Sequence, residues 1–468
     1  MANQHARGSR GLERGGRSVQ PTSNDTIAAQ ATAPGVGALA VLRISGPGAA
    51  ALAQRLTGGR RLPPRHAQLR DFRAVDGARI DRGLALYFPA PRSYTGEDVV
   101  ELHCHGSPVI VDWLLETLVA LGARTAEPGE FTLRAFLNDK LDLAQAEGVA
   151  DLISSGSRRA VQAAWRSLDG EFSRRVATVQ SALTELRVRC EAWLDFPDEE
   201  IDRDAHAEFV ERARRVEQAL ALLEADALRG AVLNDGFSVA IAGPPNAGKS
   251  SLLNRLAGYE AAIVTPIPGT TRDTVRERIS LDGVLLDIVD TAGLRATSDP
   301  VEAEGVRRTE RAMEVADHVL WVADIETGVA EAITSARRAL LPAAVFTVVL
   351  NKVDLHDATA KVYSVEGIDV LEISALTGSG LPQLCAHLQA RAGFGAEGVG
   401  TFSARRRHLD ALARARARIQ RAIIEGEARP EIAAEELRAA QTALSELTGE
   451  LTSDDLLGEI FSTFCIGK

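Results

Sequence analysis

Cysteine is scarce and scattered: Cys104, Cys190, Cys385 and Cys465 are the only four in 468 residues. No two stand at a metal-ligand spacing, so a zinc module is not indicated and a reduced, cytoplasmic compartment is expected. No apolar run approaches the roughly 18 residues that a membrane span requires, so no membrane association is expected. Positive charge is in deficit. The formal net charge of −11 argues against broad, non-specific affinity for nucleic acid. Any RNA contact therefore needs a local basic surface or a partner. The first residues also lack the hydrophobic stretch of a secretory signal. Residues 1–24 place Arg7, Arg10, Arg14 and Arg17 among glycine and serine without an apolar face, so a disordered basic tail is expected there.

The composition that remains, 45% apolar and 25% charged, is that of a globular chain. Its length gives a prior of about three domains. The most informative stretch is Gly243-Pro244-Pro245-Asn246-Ala247-Gly248-Lys249-Ser250, between the apolar run Phe237–Ala242 and a helical sequence that begins Ser251-Leu252-Leu253. Strand, glycine-rich loop and helix in that order form the phosphate-binding pattern G-x-x-x-x-G-K-[ST]. Gly243 and Gly248 let backbone N–H groups turn inward toward phosphates, and the helix start adds its positive dipole end. Lys249 supplies charge to the β- and γ-phosphates, and the Ser250 hydroxyl is a candidate Mg²⁺ ligand.

Three further signals follow in order. A strand Leu285–Val289 ends in Asp290-Thr291-Ala292-Gly293, where Asp290 can hold Mg²⁺ through water and Gly293 can donate to the γ-phosphate. A strand Val345–Leu350 ends in Asn351-Lys352-Val353-Asp354. The two oxygens of Asp354 match the N1–H and amine of guanine, whereas adenine would leave the carboxylate unpaired. Ser374-Ala375-Leu376 completes the base pocket. Between the first and second motifs lies a switch loop, Thr265-Pro266-Ile267-Pro268-Gly269-Thr270-Thr271-Arg272-Asp273. These motifs define an expected Ras-like, doubly wound α/β GTP-binding domain. Leu294 follows Gly293 where such enzymes place a water-orienting glutamine, so the catalytic polar group must come from elsewhere. The amide oxygen of Asn246, with switch-loop carbonyls, offers a monovalent-cation site; an ordinary loop role fits the residues equally well.

The flanking regions differ in character. From 25 to 139, strands at Ala38–Ile44, Gly83–Phe88 and Val99–Cys104, and a helix from Pro108 that ends at Gly122, indicate a compact α+β module. His103-Cys104-His105 there suits core packing or hydrogen bonding better than a metal. From 140 to 233 the pattern becomes helical, with Phe172, Val176, Val179, Leu183, Leu186 and Cys190 on one stripe, a break at Pro197 and a further helix through Leu228. Helical character returns over 398–468, with Arg405-Arg406-Arg407 expected on a solvated face. The GTP-binding module, 234–397, is thus expected as an insertion in a helical domain.

Taken with the blocks Leu42-Arg43-Ile44-Ser45-Gly46, Tyr94-Thr95-Gly96-Glu97-Asp98, Phe136–Glu147 and the terminal Phe464-Cys465-Ile466-Gly467-Lys468, the chain resembles the MnmE (TrmE) family of tRNA modification GTPases from about Asp25 onward. The resemblance implies an N-terminal tetrahydrofolate-binding and dimerisation domain, with Arg43, Glu101, Lys140 and Lys468 at folate positions (a 5,10-methylene- or 5-formyl derivative). It implies K⁺ held by Asn246, Thr265, Ile267 and Thr270, and Mg²⁺ by Ser250 and Thr271. Catalytic roles would fall to Lys249, Thr271 and Glu302, the last acting on water indirectly. It further implies a cytoplasmic homodimer that joins the FAD-dependent protein MnmG in a heterotetramer. Together these place an aminomethyl or carboxymethylaminomethyl group on the wobble uridine of tRNA. Pro244 departs from relatives that carry Arg there. The other reading, a GTP-driven ribosome-assembly factor, would call for a KH module or a second phosphate loop, and the sequence has neither in a suitable setting.

Overall fold

The computed structural model describes residues 25–195, 203–258, 276–281, 283–290, 316–342, 344–356, 359–394, 402–426, 429–450 and 454–467. These form two compact units, residues 1–142 with 451–468, and residues 143–450.

The first unit is built on a six-stranded sheet in the order β3-β4-β5-β2-β1-β6. Its strands are β1 (Ile27–Gln30), β2 (Gly37–Ser45), β3 (Gln68–Arg73), β4 (Arg79–Phe88), β5 (Val99–Gly106) and β6 (Arg124–Thr125). Alternation explains the layering. Ala40, Leu42 and Ile44 of β2, with Val100, Leu102 and Cys104 of β5, turn to a core closed by the helices Ala49–Leu56 and Pro108–Ala120. Gly122, at φ 113°, takes the left-handed position just past the second helix, as its sequence position predicts. The His-Cys-His run behaves as a strand should: Cys104 is buried, and His105 Nδ1 lies 2.8 Å from Asp81.

The C-terminal segment belongs to this unit. The helix Asp454–Ser462 packs on the helix Glu130–Leu137, and Ile466 forms a bridge with Pro128. The expected second helical part, 398–468, therefore divides: its last residues complete the N-terminal module. Two glycines permit the approach. A Cβ on Gly129 would lie 2.6 Å from the Phe461 carbonyl oxygen, and one on Gly467 would lie 2.0 Å from that of Gln30 in β1.

The second unit holds a helical bundle and the inserted α/β module. Bundle helices span Leu143–Ser154, Arg158–Leu168, Glu171–Asp195, Arg203–Asp235, Arg406–Glu425 and Pro430–Thr448. Every member of the stripe from Phe172 to Cys190 is buried against Leu220, Leu412, Ile419 and Leu437. The helix expected to reach Leu228 continues to Asp235, so Gly236 alone separates it from the first strand of the insertion.

That insertion is a seven-stranded sheet in the order β12-β13-β11-β10-β7-β9-β8. Its strands are β7 (Phe237–Ala242), β8 (Arg276–Leu281), β9 (Val284–Asp290), β10 (His318–Asp324), β11 (Phe346–Asn351), β12 (Val362–Val365) and β13 (Ile368–Glu372). Strands β9, β7, β10, β11 and β13 run parallel, and the antiparallel β8 and β12 form the edges. Parallel strands are covered on both faces, which is why these segments read as continuous apolar runs. Leu252, Leu256, Leu384 and Leu388 cover one face; Ala336 and Leu340 cover the other.

Arg405 and Arg407 correct the sequence reading of a solvated basic face. Only Arg406 is exposed, at 85%. Arg407 Nε and Nη2 donate to Glu147 at 2.7 and 2.5 Å, and Arg405 Nη2 donates to Asp151 at 2.7 Å. Both carboxylates are buried on the helix Leu143–Ser154. The two helical segments are about 260 residues apart in sequence, and these pairs tie them together.

Candidate functional site

Strands β7, β9 and β11 end at the same sheet edge, where the crevice of a doubly wound fold binds its ligand. The loop after β7 departs sharply. Gly243 has φ 140°, and a Cβ there would lie 2.0 Å from the Val322 carbonyl oxygen of β10. Gly248 has φ 91°, with a Cβ position 2.2 Å from Asn351 Nδ2. Both glycines are therefore required by space as well as by backbone angle. The helix Lys249–Ala257 starts at once behind the loop. Lys249 Nζ curls over the loop and donates to the carbonyls of Gly243 at 2.9 Å and Pro244 at 2.7 Å. Pro244 is exposed, on the solvent side of the cradle. Asn246 is exposed at φ 62°, and Ser250 and Ser251 are exposed on the first helical turn, while Ala247 is buried.

Asn351 couples this loop to the base-recognition loop. Its Nδ2 donates to the Ala247 carbonyl at 2.9 Å, and its Oδ1 accepts from Ala375 N at 2.9 Å. Both amide groups of a 3%-exposed side chain are thereby satisfied. Lys352, at φ 73°, forms an ion pair with Asp324 Oδ2 at 2.6 Å. Burial raises the Asp324 carboxyl, but the Lys352 hydrogen bond and charge, together with the Glu326 backbone N–H and nearby His356, outweigh it and hold the group below the usual carboxylate range. Asp354 accepts a hydrogen bond from Ser374 Oγ, which in turn accepts from Thr377 N at 3.1 Å. Ser374 and Ala375 are buried and Leu376 is 75% exposed. The neighbouring Arg255 Nε donates to the Ala375 carbonyl at 3.3 Å.

The structure thus brings the residues from 246 to 251 together with Asn351 and the Ser374–Leu376 loop. Backbone alone places Asp290, at the end of β9. Thr265, Pro266, Ile267, Pro268, Gly269, Thr270, Thr271, Thr291, Ala292, Gly293 and Glu302 lie outside the described residues. The tie between Lys352 and Asp324 and the one between Asp354 and Ser374 join separate strand ends; sequence reasoning named Asp354 and Ser374 without pairing them, and did not name Asp324. The cradle suits a nucleotide phosphate and its Mg²⁺: two glycines leave space that any side chain would fill, and Lys249 and Ser250 border it.

In the first unit, Arg43 and Glu101 face each other across β2 and β5. Arg43 Nη2 donates to Glu101 Oε1 at 2.8 Å, and the guanidinium lies 5.4 Å from the Tyr94 ring and 5.8 Å from that of Phe131. Lys140 Nζ donates to the Pro91 carbonyl at 3.2 Å. Lys468 lies outside the described residues, but Gly467 before it sits on Gln30, whose β2 partner is Leu42, next to Arg43. A half-buried cation and carboxylate beside aromatic rings suit a flat heterocycle with amide and amine groups.

A phosphate loop and an Asp-bearing base loop at the carboxyl edge of a parallel sheet define a P-loop GTPase module, here inserted in a helical bundle. Comparison with known proteins makes the class specific. A family model described as the MnmE helical domain matches residues 143–465, and one described as the GTP-binding protein TrmE N-terminus matches residues 26–140. A tRNA modification GTPase MnmE of Nitrosococcus oceani is 52% identical over 448 residues, covering 95% of this chain and 97% of that protein. Those of Nitrosomonas europaea and Chromobacterium violaceum are each 51% identical; they cover 96% and 95% of this chain and 100% and 98% of their own lengths. The chain belongs to the MnmE (TrmE) family and is a GTP hydrolase.

Proposed function

We propose that this protein hydrolyses GTP in the service of tRNA modification. With an FAD-dependent partner, MnmG, it adds an aminomethyl or carboxymethylaminomethyl group at C5 of the wobble uridine of tRNA. The observation that carries this reading is the tie through Asn351, which sets the phosphate loop and the guanine-selecting Asp354 in one crevice, in a chain that matches tRNA modification GTPases over 95% of its length.

In this mechanism Lys249 exchanges its two carbonyl partners for the β- and γ-phosphate oxygens, while the backbone N–H groups of Ala247 to Ser250 align them. Asp354 reads the N1–H and amine of guanine, with its second oxygen oriented by Ser374. Ser250 and Thr271 would hold Mg²⁺, and Asn246 with Thr265, Ile267 and Thr270 would hold K⁺. These cations supply positive charge against the charge that develops on the phosphates. Glu302 orders the attacking water indirectly, a role that Leu294 cannot fill.

On the first unit, Arg43, Glu101, Lys140 and Lys468 would hold a tetrahydrofolate derivative, which supplies the one-carbon unit. We infer a homodimer built through this unit, joined with MnmG in a cytoplasmic heterotetramer. The test is nucleoside analysis of tRNA from a deletion strain. Loss of the modified wobble uridine supports the reading. Normal tRNA with accumulating immature ribosomal subunits would replace it with the assembly-factor reading.

A further inference from the structure

Arginines of the helical bundle are almost all neutralised: Arg175, Arg189, Arg212, Arg416 and Arg418 each lie within 3.3 Å of a carboxylate. The helix Arg158–Leu168 differs. Arg158, Arg159 and Arg166 have no carboxylate within 4.0 Å among the described residues, and the helix itself contains no acidic residue. Elsewhere in the bundle Arg174, which donates to the Asp169 carbonyl, and Arg214 are the comparable cases, each alone on its helix among the described residues, whereas these three share one helix. Placement concentrates them further. Ala160, Ala163, Ala164 and Ser167 form the buried face, so the opposite face carries Arg158, Gln162, Trp165 and Arg166.

Trp165 is 51% exposed on that face. An indole left in water beside unpaired guanidiniums combines base stacking with phosphate contact, the two elements of single-stranded nucleic-acid recognition. The helix is held firmly. Ser157 accepts from Ala160 N at 3.1 Å and donates to the Gly283 carbonyl at 2.7 Å. At the other end Ser167 donates to the Ser403 carbonyl at 2.9 Å. A rigid face spanning about 12 Å from Arg158 to Arg166, at 1.5 Å per residue, thus carries two cations, with Arg159 on its flank against Gly283. On a chain of net charge −11, such a face stands out as locally positive.

We propose that the outer face of the helix Arg158–Leu168 is a docking surface for tRNA, with Arg158 and Arg166 on phosphates and Trp165 against an unstacked base. The proposal rests on the tRNA-modification reading above and adds where the RNA is held. None of these residues borders the phosphate loop or the base loop.

The test is binding of an unmodified tRNA transcript to the full-length protein across a salt series. The double variant R158Q/R166Q should bind about 10- to 100-fold more weakly and lose about two from the slope of log affinity against log salt. R158K/R166K should keep both. W165A should weaken binding by about 5- to 100-fold with the slope unchanged, and W165F should recover most of the loss. Basal GTP turnover and melting temperature should stay at wild-type values in all four. Equal affinity and slope in wild type and R158Q/R166Q would overturn the proposal. So would absence of tRNA binding by the wild-type chain, or weakened assembly with the FAD-dependent partner at unchanged tRNA affinity. Nucleoside analysis separates the two levels. If deletion abolishes the wobble modification but R158Q/R166Q retains it fully, the surface is wrong and the functional reading stands; if deletion leaves the modification intact, the functional reading itself fails.

Discussion

Replacing Glu147 with Gln tests how the interrupted bundle is closed. Glu147 is 1% exposed and meets Arg407 through two hydrogen bonds, with His408 Nε2 2.8 Å away. The backbone N–H of Arg405 donates to His408 Nδ1 at 3.1 Å, which leaves the ring proton on Nε2, facing Glu147. His408 is held below the usual imidazole range, chiefly by burial and with Arg407 and Arg405 adding to it, against the pull of Glu147, and is therefore neutral at pH 7. Two carboxylates, Glu147 and Asp151, therefore balance two guanidiniums, Arg405 and Arg407. Glu147→Gln leaves one buried positive charge uncompensated and turns an amide donor toward guanidinium or imidazole N–H groups. Removing one member of a buried pair costs about 3–5 kcal/mol. At about 2–4 °C per kcal/mol for a domain of this size, the bundle transition should fall by roughly 6–20 °C in scanning calorimetry.

Two controls make the reasoning refutable. Glu147→Leu combined with Arg407→Leu removes both charges and should recover most of the loss, because replacing a whole buried pair with apolar groups is close to neutral. Acid provides the second. Burial raises the Glu147 carboxyl, but its surroundings, among them the Arg407 guanidinium that donates to it twice, hold it far below the usual range of a glutamate. A carboxylate with a depressed folded pKa stabilises fully above its unfolded value of about 4.5, and that stability is lost as pH falls below it. The gap between wild type and Glu147→Gln should therefore narrow as pH drops from about 5 toward 3. A single variant that melts within about 2 °C of wild type at pH 7 would refute the buried-pair account.

Four further outcomes are expected. Asp354→Asn turns one acceptor into a donor, so GTP binding should weaken by orders of magnitude while xanthosine triphosphate is accepted; unchanged GTP affinity in titration calorimetry would remove Asp354 from the pocket. GTP turnover should be faster in K⁺ or Rb⁺ than in Na⁺, and Asn246→Ala should erase that preference while largely sparing nucleotide affinity, since the cation acts on charge in the transition state; equal wild-type rates in Na⁺ and K⁺ would count against the site. His318 is pushed down to about 4 by burial, with His387 and Arg391 adding to the effect, so the unfolded chain takes up the proton first and stability falls as pH drops from about 6.5 toward 4, by up to ~3 kcal/mol; urea titrations at pH 7 and 5 should register this in wild type and much less in His318→Gln. Removing residues 464–468 should leave K⁺-stimulated GTP turnover near wild type and abolish both folate binding and wobble-uridine modification; modification at the normal rate would sink that assignment.

Legibility in the sequence followed locality. The phosphate loop could be read because its function demands backbone shapes that few residues adopt, and Gly243 and Gly248 have no room for a Cβ. The stripe from Phe172 to Cys190 could be read because a helix repeats its buried face every three or four residues, and all six members are buried. The Arg405-Arg406-Arg407 cluster was misleading for the opposite reason. Its partners lie in a helix that precedes the whole insertion, and nothing in three adjacent arginines says that two of them turn inward. The helix that ends at Asp235 ran past its expected limit because its last turns still bury Ala227, Ala231 and Leu233, small or interrupted by Gly230, which lies against the Phe402 carbonyl. Short strands such as β1 and β6, of four and two residues, carry too little pattern to be seen.

The placement of the C-terminus bears on what the tail can do. Gly467 has φ 92°, and its α-carbon lies so close to β1 that any side chain would enter the Gln30 carbonyl. A residue constrained in that way is part of the packing of the first unit and not a loose end. The tail reaches this place by passing Gly129, where Gly129 N donates to the Cys465 carbonyl at 3.4 Å and the Phe461 and Phe464 rings meet 5.3 Å apart. Its contacts are thus with the loop before the helix Glu130–Leu137 and with the strand next to Arg43. The described residues of the candidate nucleotide crevice, by contrast, lie between Gly243 and Leu376 in the other unit. The last residues of the chain are therefore committed to the module that carries Arg43 and Glu101, which is why their loss is expected to separate modification from hydrolysis.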